Sequence, residues 1–208
     1  MPLSCPQCDA FALSGTGSNT TLTCSSCKSQ VPANFLPLFL ISGPSGAGKS
    51  TLIRHLRPLL PDCLVVGGDL LVDVTNRDRN AFLKRWLLIA YANAQSGRPL
   101  VLAGVIEKSE LEACPDRALV GEIYSIALAV GEETRRERLE ERPRWKKHDK
   151  EKLERRIAEH VGMGERLVRG ADLVVDTEAQ GVEEVAGVVA GWVRERVVVA
   201  EPSMAPAG

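Results

Sequence analysis

The chain has 208 residues, 44% of them apolar and 25% charged, with a net charge of −1. That is enough apolar material for one α/β domain and a small companion, and the near-neutral balance excludes a global electrostatic pull toward nucleic acid or membrane. No apolar run approaches the roughly 20 residues of a membrane helix, and no basic-then-apolar leader opens the chain, so a cytoplasmic protein without a membrane partner is expected.

Of six cysteines, four fall in two close pairs, Cys5-Pro-Gln-Cys8 and Cys24-Ser-Ser-Cys27, separated by 15 residues. This spacing fits a C-x2-C-x15-C-x2-C metal site, with Gly15, Gly17 and Asn19 marking a hairpin turn and Thr20–Thr23 a returning strand. Four thiolates close a tetrahedron around Zn²⁺ and leave no open coordination position, so the metal is expected to be structural. A redox dithiol or two disulfides is the alternative, disfavoured because redox chemistry needs no second pair at this spacing. The segment resembles a zinc ribbon, expected over 1–34. Such a small unit has little core, so metal binding would supply most of its stability. Its role stays open among nucleic acid, a protein partner, or bracing of the rest of the chain. Lys28 is its only basic residue, which argues against a strong phosphate-backbone contact.

Val31–Pro37 reads as a linker into the apolar strand Leu36–Ile41. Gly43–Thr51 then reads GPSGAGKST, satisfying G-x-x-x-x-G-K-[ST] between a strand and a helix start. The glycines let backbone N–H groups wrap a phosphate, and the following helix adds the positive end of its dipole. Gly43, Ser45, Gly46, Ala47, Gly48, Lys49, Ser50 and Thr51 are the nucleotide-binding candidates. Lys49 would reach the β- and γ-phosphates, and Ser50 would hold Mg²⁺. The helix is expected to stop near Pro58 and Pro61.

Cys63–Val66 reads as the second strand of the domain, followed by Asp69 in the crevice beyond its carboxyl end. Such an acid accepts a proton from an attacking hydroxyl or holds Mg²⁺ through water; a turn or helix cap is the structural alternative, and Asp73 shares the ambiguity. A long helix is expected over Arg77–Gln95 and a buried strand over Pro99–Ile106. Where many nucleoside triphosphatases place an acid, this strand ends in Ala103-Gly104, with Glu107 three residues on. A fourth strand is expected over Ile123–Val130. Arg135–Arg156 carries 11 Lys or Arg against 6 Asp or Glu, interrupted by Pro143. Arg138, Arg142 and Arg144 are suited to gripping phosphate oxygens; a solvated helix with pairs such as Glu151–Arg155 is the plainer reading. Ala171–Asp176 reads as the last strand, Val182–Val193 as the inner stripe of a closing helix, and 199–208 as a tail. Asp176 and Glu178 superficially resemble a metal-binding strand end.

Together the glycine loop, the acid after the next strand, the arginine-rich segment and the final strand–helix pair resemble the nucleoside/nucleotide kinase superfamily of P-loop proteins, over about Leu36–Arg196. The resemblance implies an α/β, three-layer P-loop domain over 35–198 with a mostly parallel five-stranded sheet, beside the small ribbon. It implies ATP or GTP with Mg²⁺, Asp69 serving the acceptor, and Lys49, Arg138, Arg142 and Arg144 acting on the transferred phosphate. A nucleotide, a nucleoside, another small hydroxyl compound and a polynucleotide 5′-hydroxyl all remain open as acceptors. A partner-docking ATPase or switch is the competing class; the absence of NKxD and LSGGQ-like segments disfavours translation-type GTPases and ABC ATPases.

Overall fold

The structure is a computed structural model that describes residues 4–10, 13–15, 21–71, 78–141 and 150–199. Arg142 and Arg144 lie outside the described residues, as do Asp73, Arg77, Pro143 and residues 200–208.

Three short strands, β1 (Leu13–Gly15), β2 (Thr21–Cys24) and β3 (Gln30–Pro32), form an antiparallel sheet in chain order. Gly15 is a strand residue opposite Leu22, and Val31 is the other partner of Leu22. The expected linker therefore begins as a third strand. The alternation of β2 explains why: Leu22 and Cys24 point inward, and a strand with a buried face is stabilised by a neighbour on each edge.

The larger sheet contains β4 (Leu38–Ser42), β5 (Leu64–Gly67), β6 (Leu100–Gly104), β7 (Ile123–Ala129) and β8 (Leu173–Asp176). Their order is β5-β6-β4-β7-β8, and every neighbouring pair is parallel. The helices are α1 (Lys49–Leu59), α2 (Arg79–Ala94), α3 (Lys108–Glu112), α4 (Glu132–Glu140), α5 (Lys150–Arg169) and α6 (Val182–Val199). Pro58 lies inside the last turn of α1, one residue before its end, where only one backbone bond is sacrificed. Helix α2 starts at Arg79 because the Asp78 carboxylate accepts from the Ala81 N–H at 3.1 Å and caps it.

Every residue of β4 is buried, as a central parallel strand covered on both faces requires. Phe39 and Ile41 pack with Leu52, Ile53 and Leu56 of α1 and Val185, Val189 and Val193 of α6. Leu38 and Leu40 pack on the other face with Leu83, Trp86 and Leu87 of α2 and with Leu111 of α3. None of the described helices is long and apolar enough to cross a membrane.

The small sheet docks on this domain through Leu22 and Ala33, which pack against Tyr91 of α2 and Leu119 just before β7. Asn34 and Gln95 add a reciprocal amide pair at 3.0 and 2.8 Å. Tyr91 and Gln95 precede β6, so the ribbon sits at the amino ends of the parallel strands. The glycine loop follows the carboxyl end of β4, on the opposite edge.

Candidate active site

The chain order places the loop. Strand β4 lies between β6 and β7, where the winding of the sheet reverses, and a crevice opens beyond its carboxyl end. Ser42 closes β4 with its hydroxyl donating to the Ile106 carbonyl at 2.5 Å, tying the loop's base to the end of β6. Gly46 and Gly48 take φ of +94° and +91°, a left-handed region that glycine enters without Cβ penalty. Gly48 then caps α1, whose first residues are Lys49 and Ser50. The Lys49 ammonium curls back to donate to the carbonyls of Gly43 at 2.5 Å and Pro44 at 2.9 Å. Ser50 is exposed at the helix start.

A cavity of about 390 Å³ opens beside the loop. Gly46, Gly48 and Thr51 form its loop side, and Leu52 of α1 and Val185 of α6 give it an apolar floor. Arg138, Thr177 and Gln180 wall it. Arg138 donates to the Thr177 hydroxyl at 3.1 Å and carbonyl at 2.7 Å, so it is committed to the loop after β8. Glu178 accepts from the Gly131 N–H at 2.8 Å and the Thr134 hydroxyl at 2.7 Å, capping α4 from that same loop. These two bonds, led by that from Thr134, hold the Glu178 carboxyl below its usual range. Asp176 accepts from the Glu178 and Ala179 N–H groups and shapes the turn. The acids Asp176 and Glu178 thus act as backbone caps here, and the likeness to a metal-binding strand end is superficial.

On the other face of the sheet a second cavity, about 400 Å³, lies between α3 and α5 with Ser42, Glu107, Lys108 and Arg166 in its lining. Glu107 caps α3 reciprocally with Glu110, and Arg166 donates to Glu107 at 3.2 Å. Arg79 grips Glu110 with two bonds, at 2.7 and 2.6 Å, and also donates to the Val105 carbonyl. Asp69 lies exposed in a 3-10 turn directly after β5, the edge strand. It is two strands, about 10 Å, from β4, whereas Glu107 follows the adjacent strand. The sequence motifs point to neither Thr177 nor Gln180, and they suggest a metal-binding likeness for Glu178 in place of its cap on α4. The signal available was positional, because every strand-to-helix loop of a parallel sheet emerges at the same edge.

The four ribbon cysteines form a separate cluster, their sulfurs all within 4.8 Å of one another. Cys5 and Cys27 are 3.6 Å apart and Cys8 and Cys24 3.7 Å, far beyond the ~2.05 Å of a disulfide. Both match the ~3.8 Å edge of a tetrahedron with Zn–S bonds of ~2.3 Å. The Ser29 hydroxyl lies 3.0 Å from the Cys27 sulfur and 3.2 Å from that of Cys5. The donor set fits zinc.

A family model described as an AAA domain matches residues 40–159, from mid-β4 into α5. The chain belongs to this AAA-domain family. The match begins at the strand that carries the glycine loop, past the ribbon. No curated protein matches the chain. Among solved structures, a gluconokinase from Sinorhizobium meliloti 1021 is 19% identical, covering 80% of this chain and 97% of that one with a TM-score of 0.55. The APS kinase of Mycobacterium tuberculosis, in complex with AMPPNP and APS, is 18% identical, covering 79% and 99% with a TM-score of 0.54. A sugar kinase from Janibacter is 16% identical, covering 81% and 99% with a TM-score of 0.59. At these identities the likeness is one of fold, and the AAA-domain chain has the P-loop kinase fold.

Proposed function

We propose that this AAA-domain protein is a phosphotransferase that moves the γ-phosphate of a nucleoside triphosphate, ATP or GTP, to a small-molecule acceptor. The observation that carries this reading is the glycine loop with a cavity on either face. One is walled by Arg138, Thr177 and Gln180 and has the volume of a nucleoside-sized ligand. The other opens under Glu107, Lys108 and Arg166. Kinase activity in proteins of the same fold supports it.

In this reading the loop amides and Lys49 hold the β- and γ-phosphates, and the exposed Ser50 hydroxyl ligates Mg²⁺. Arg138 holds the nucleoside wall in place, a supporting role instead of direct charge neutralisation. Asp69 orients or deprotonates the acceptor hydroxyl from the edge of the sheet. Arg142 and Arg144 are proposed to cover the phosphates. Transfer is direct and in line, and catalysis is mostly positioning and charge stabilisation. Zn²⁺ bound by Cys5, Cys8, Cys24 and Cys27 braces the ribbon and takes no part in chemistry. A cytoplasmic setting suits both free thiolates and nucleotide supply.

The ribbon's place bears on the acceptor. It docks at the amino ends of the strands, so a polynucleotide held by it would have to pass around the domain to reach the loop. A small acceptor is therefore favoured over a polynucleotide 5′-hydroxyl. The AAA-domain match favours a second reading, an ATPase or switch that docks on a partner through its ribbon. Incubation with γ-labelled ATP or GTP and a panel of nucleosides, nucleotides, sugars and 5′-hydroxyl oligonucleotides separates them. Label on a small acceptor supports the proposal, and label released only to water refutes it in favour of the ATPase.

A further inference from the structure

Among the described residues of the basic segment, Arg135 stands apart. Its neighbour Arg136 pairs with Glu154 at the surface, and Arg138 is held by Thr177. Arg135 is 3% exposed. Its guanidinium donates from Nη2 to the Ile157 carbonyl of α5 at 3.0 Å, while Nε, also buried, has no partner. Burial itself pulls its pKa below the usual arginine value. A half-satisfied buried guanidinium is costly, and an apolar side chain of similar length would fill the same space more cheaply. Packing alone does not account for an arginine here.

The stem of this side chain is what the glycine loop rests on. A Cβ added to Gly46 would lie 2.7 Å from Arg135 Cγ, 3.1 Å from its carbonyl oxygen and 3.3 Å from Leu139 Cγ. Arg135 and Leu139, one helical turn apart, thus form the seat that sets the loop's curve at its midpoint. The head of Arg135 reaches the opposite way, to α5, whose later residue Arg166 lines the cavity on the other face of the sheet. One residue therefore spans from the loop to the helix flanking the second cavity.

We propose that Arg135 is a positioning residue that joins the triphosphate loop to α5, its stem shaping the loop at Gly46 and its head holding α5 at Ile157. Occupancy of the loop is thereby transmitted to α5 without Arg135 touching the nucleotide. This rests on the reading that the loop binds a nucleoside triphosphate, although the tie to α5 exists without it.

The test uses the full zinc-loaded chain with MgATP as probe, titration calorimetry for binding, and hydrogen exchange read by mass spectrometry over 150–169. Arg135→Met keeps the stem and removes the head, whereas Arg135→Ala removes both. Without nucleotide, Arg135→Met should exchange faster around Ile157 than the parent while melting no lower. With MgATP, it should bind within about threefold of the parent yet lose most of the nucleotide-dependent slowing in α5; Arg135→Ala should also weaken binding by about tenfold. Arg135→Lys should restore part of the slowing. Parent-like exchange in Arg135→Met, or parent-like affinity in Arg135→Ala, overturns the proposal. A parent chain that fails to bind MgATP overturns the triphosphate reading instead, and the nucleotide-free comparison then decides the tie to α5 by itself.

Discussion

Leu22→Ala tests whether the ribbon is a structural part of the P-loop domain. Leu22 is fully buried and packs with Ala33, Tyr91 and Leu119, so the substitution removes an apolar contact of the small sheet with α2 and the turn before β7. A buried Leu→Ala change costs about 2–5 kcal/mol through lost transfer energy plus the cavity left behind. Taking about 3 kcal/mol, and about 2–4 °C per kcal/mol for a domain of this size, melting should fall by about 6–12 °C. Tryptophan fluorescence suits the measurement, because Trp86 sits on α2, the helix that also carries Tyr91. Metal analysis should still find one zinc per chain, since the Cys5, Cys8, Cys24 and Cys27 tetrahedron is built within the ribbon. Chelating that zinc from the parent protein should lower melting in the same direction, by releasing the docked strand. An unchanged melting temperature in Leu22→Ala would show that the ribbon does not brace the domain, and absence of zinc from the parent would remove the metal site.

Lys49→Ala takes away the ammonium now bonded to Gly43 and Pro44; transfer should fall by at least about 10²–10³-fold, with melting shifted by a few degrees at most, as labelled transfer and calorimetry will show. Asp69→Asn should reduce acceptor phosphorylation far more than MgATP affinity, and equal loss of both would reassign Asp69 to metal or structure. Glu178 gives a pH signature. Because its folded pKa is depressed, the stability it adds is complete above the ordinary value of about 4.3 and is lost as pH falls through the folded value. Nucleotide binding should therefore weaken on acidification below about pH 4.3, and Glu178→Gln should flatten that fall when affinity is measured against pH.

The features legible in the sequence were those whose chemistry is local. The glycine loop is specified by residue types at fixed offsets within Gly43–Thr51, and the cysteine pairs by their own spacing. Strand β4 shows because a central parallel strand is apolar along its whole length. What remained hidden depends on partners far away in the chain. The Arg138 bond to Thr177 spans 39 residues and the Glu178 cap on Gly131 spans 47, so neither residue announces its role. Arg135 is harder still, since a charged residue inside a basic helix reads as solvated. Only the approach of Gly46 and Ile157 shows that it is enclosed. The third ribbon strand was obscured by Pro32 and Pro37, which punctuate the segment like a linker although Gln30–Pro32 lies on a sheet edge where proline is tolerated.

The opposed placement of ribbon and glycine loop also gives the molecule a handle. A support or fluorophore attached through the ribbon stands behind the sheet, at least a strand length of about 17 Å from the loop. The protein can be immobilised or oriented by its N-terminal unit while nucleotide enters from the free side. Surface-based binding assays with candidate acceptors become practical without shielding the crevice they are meant to probe.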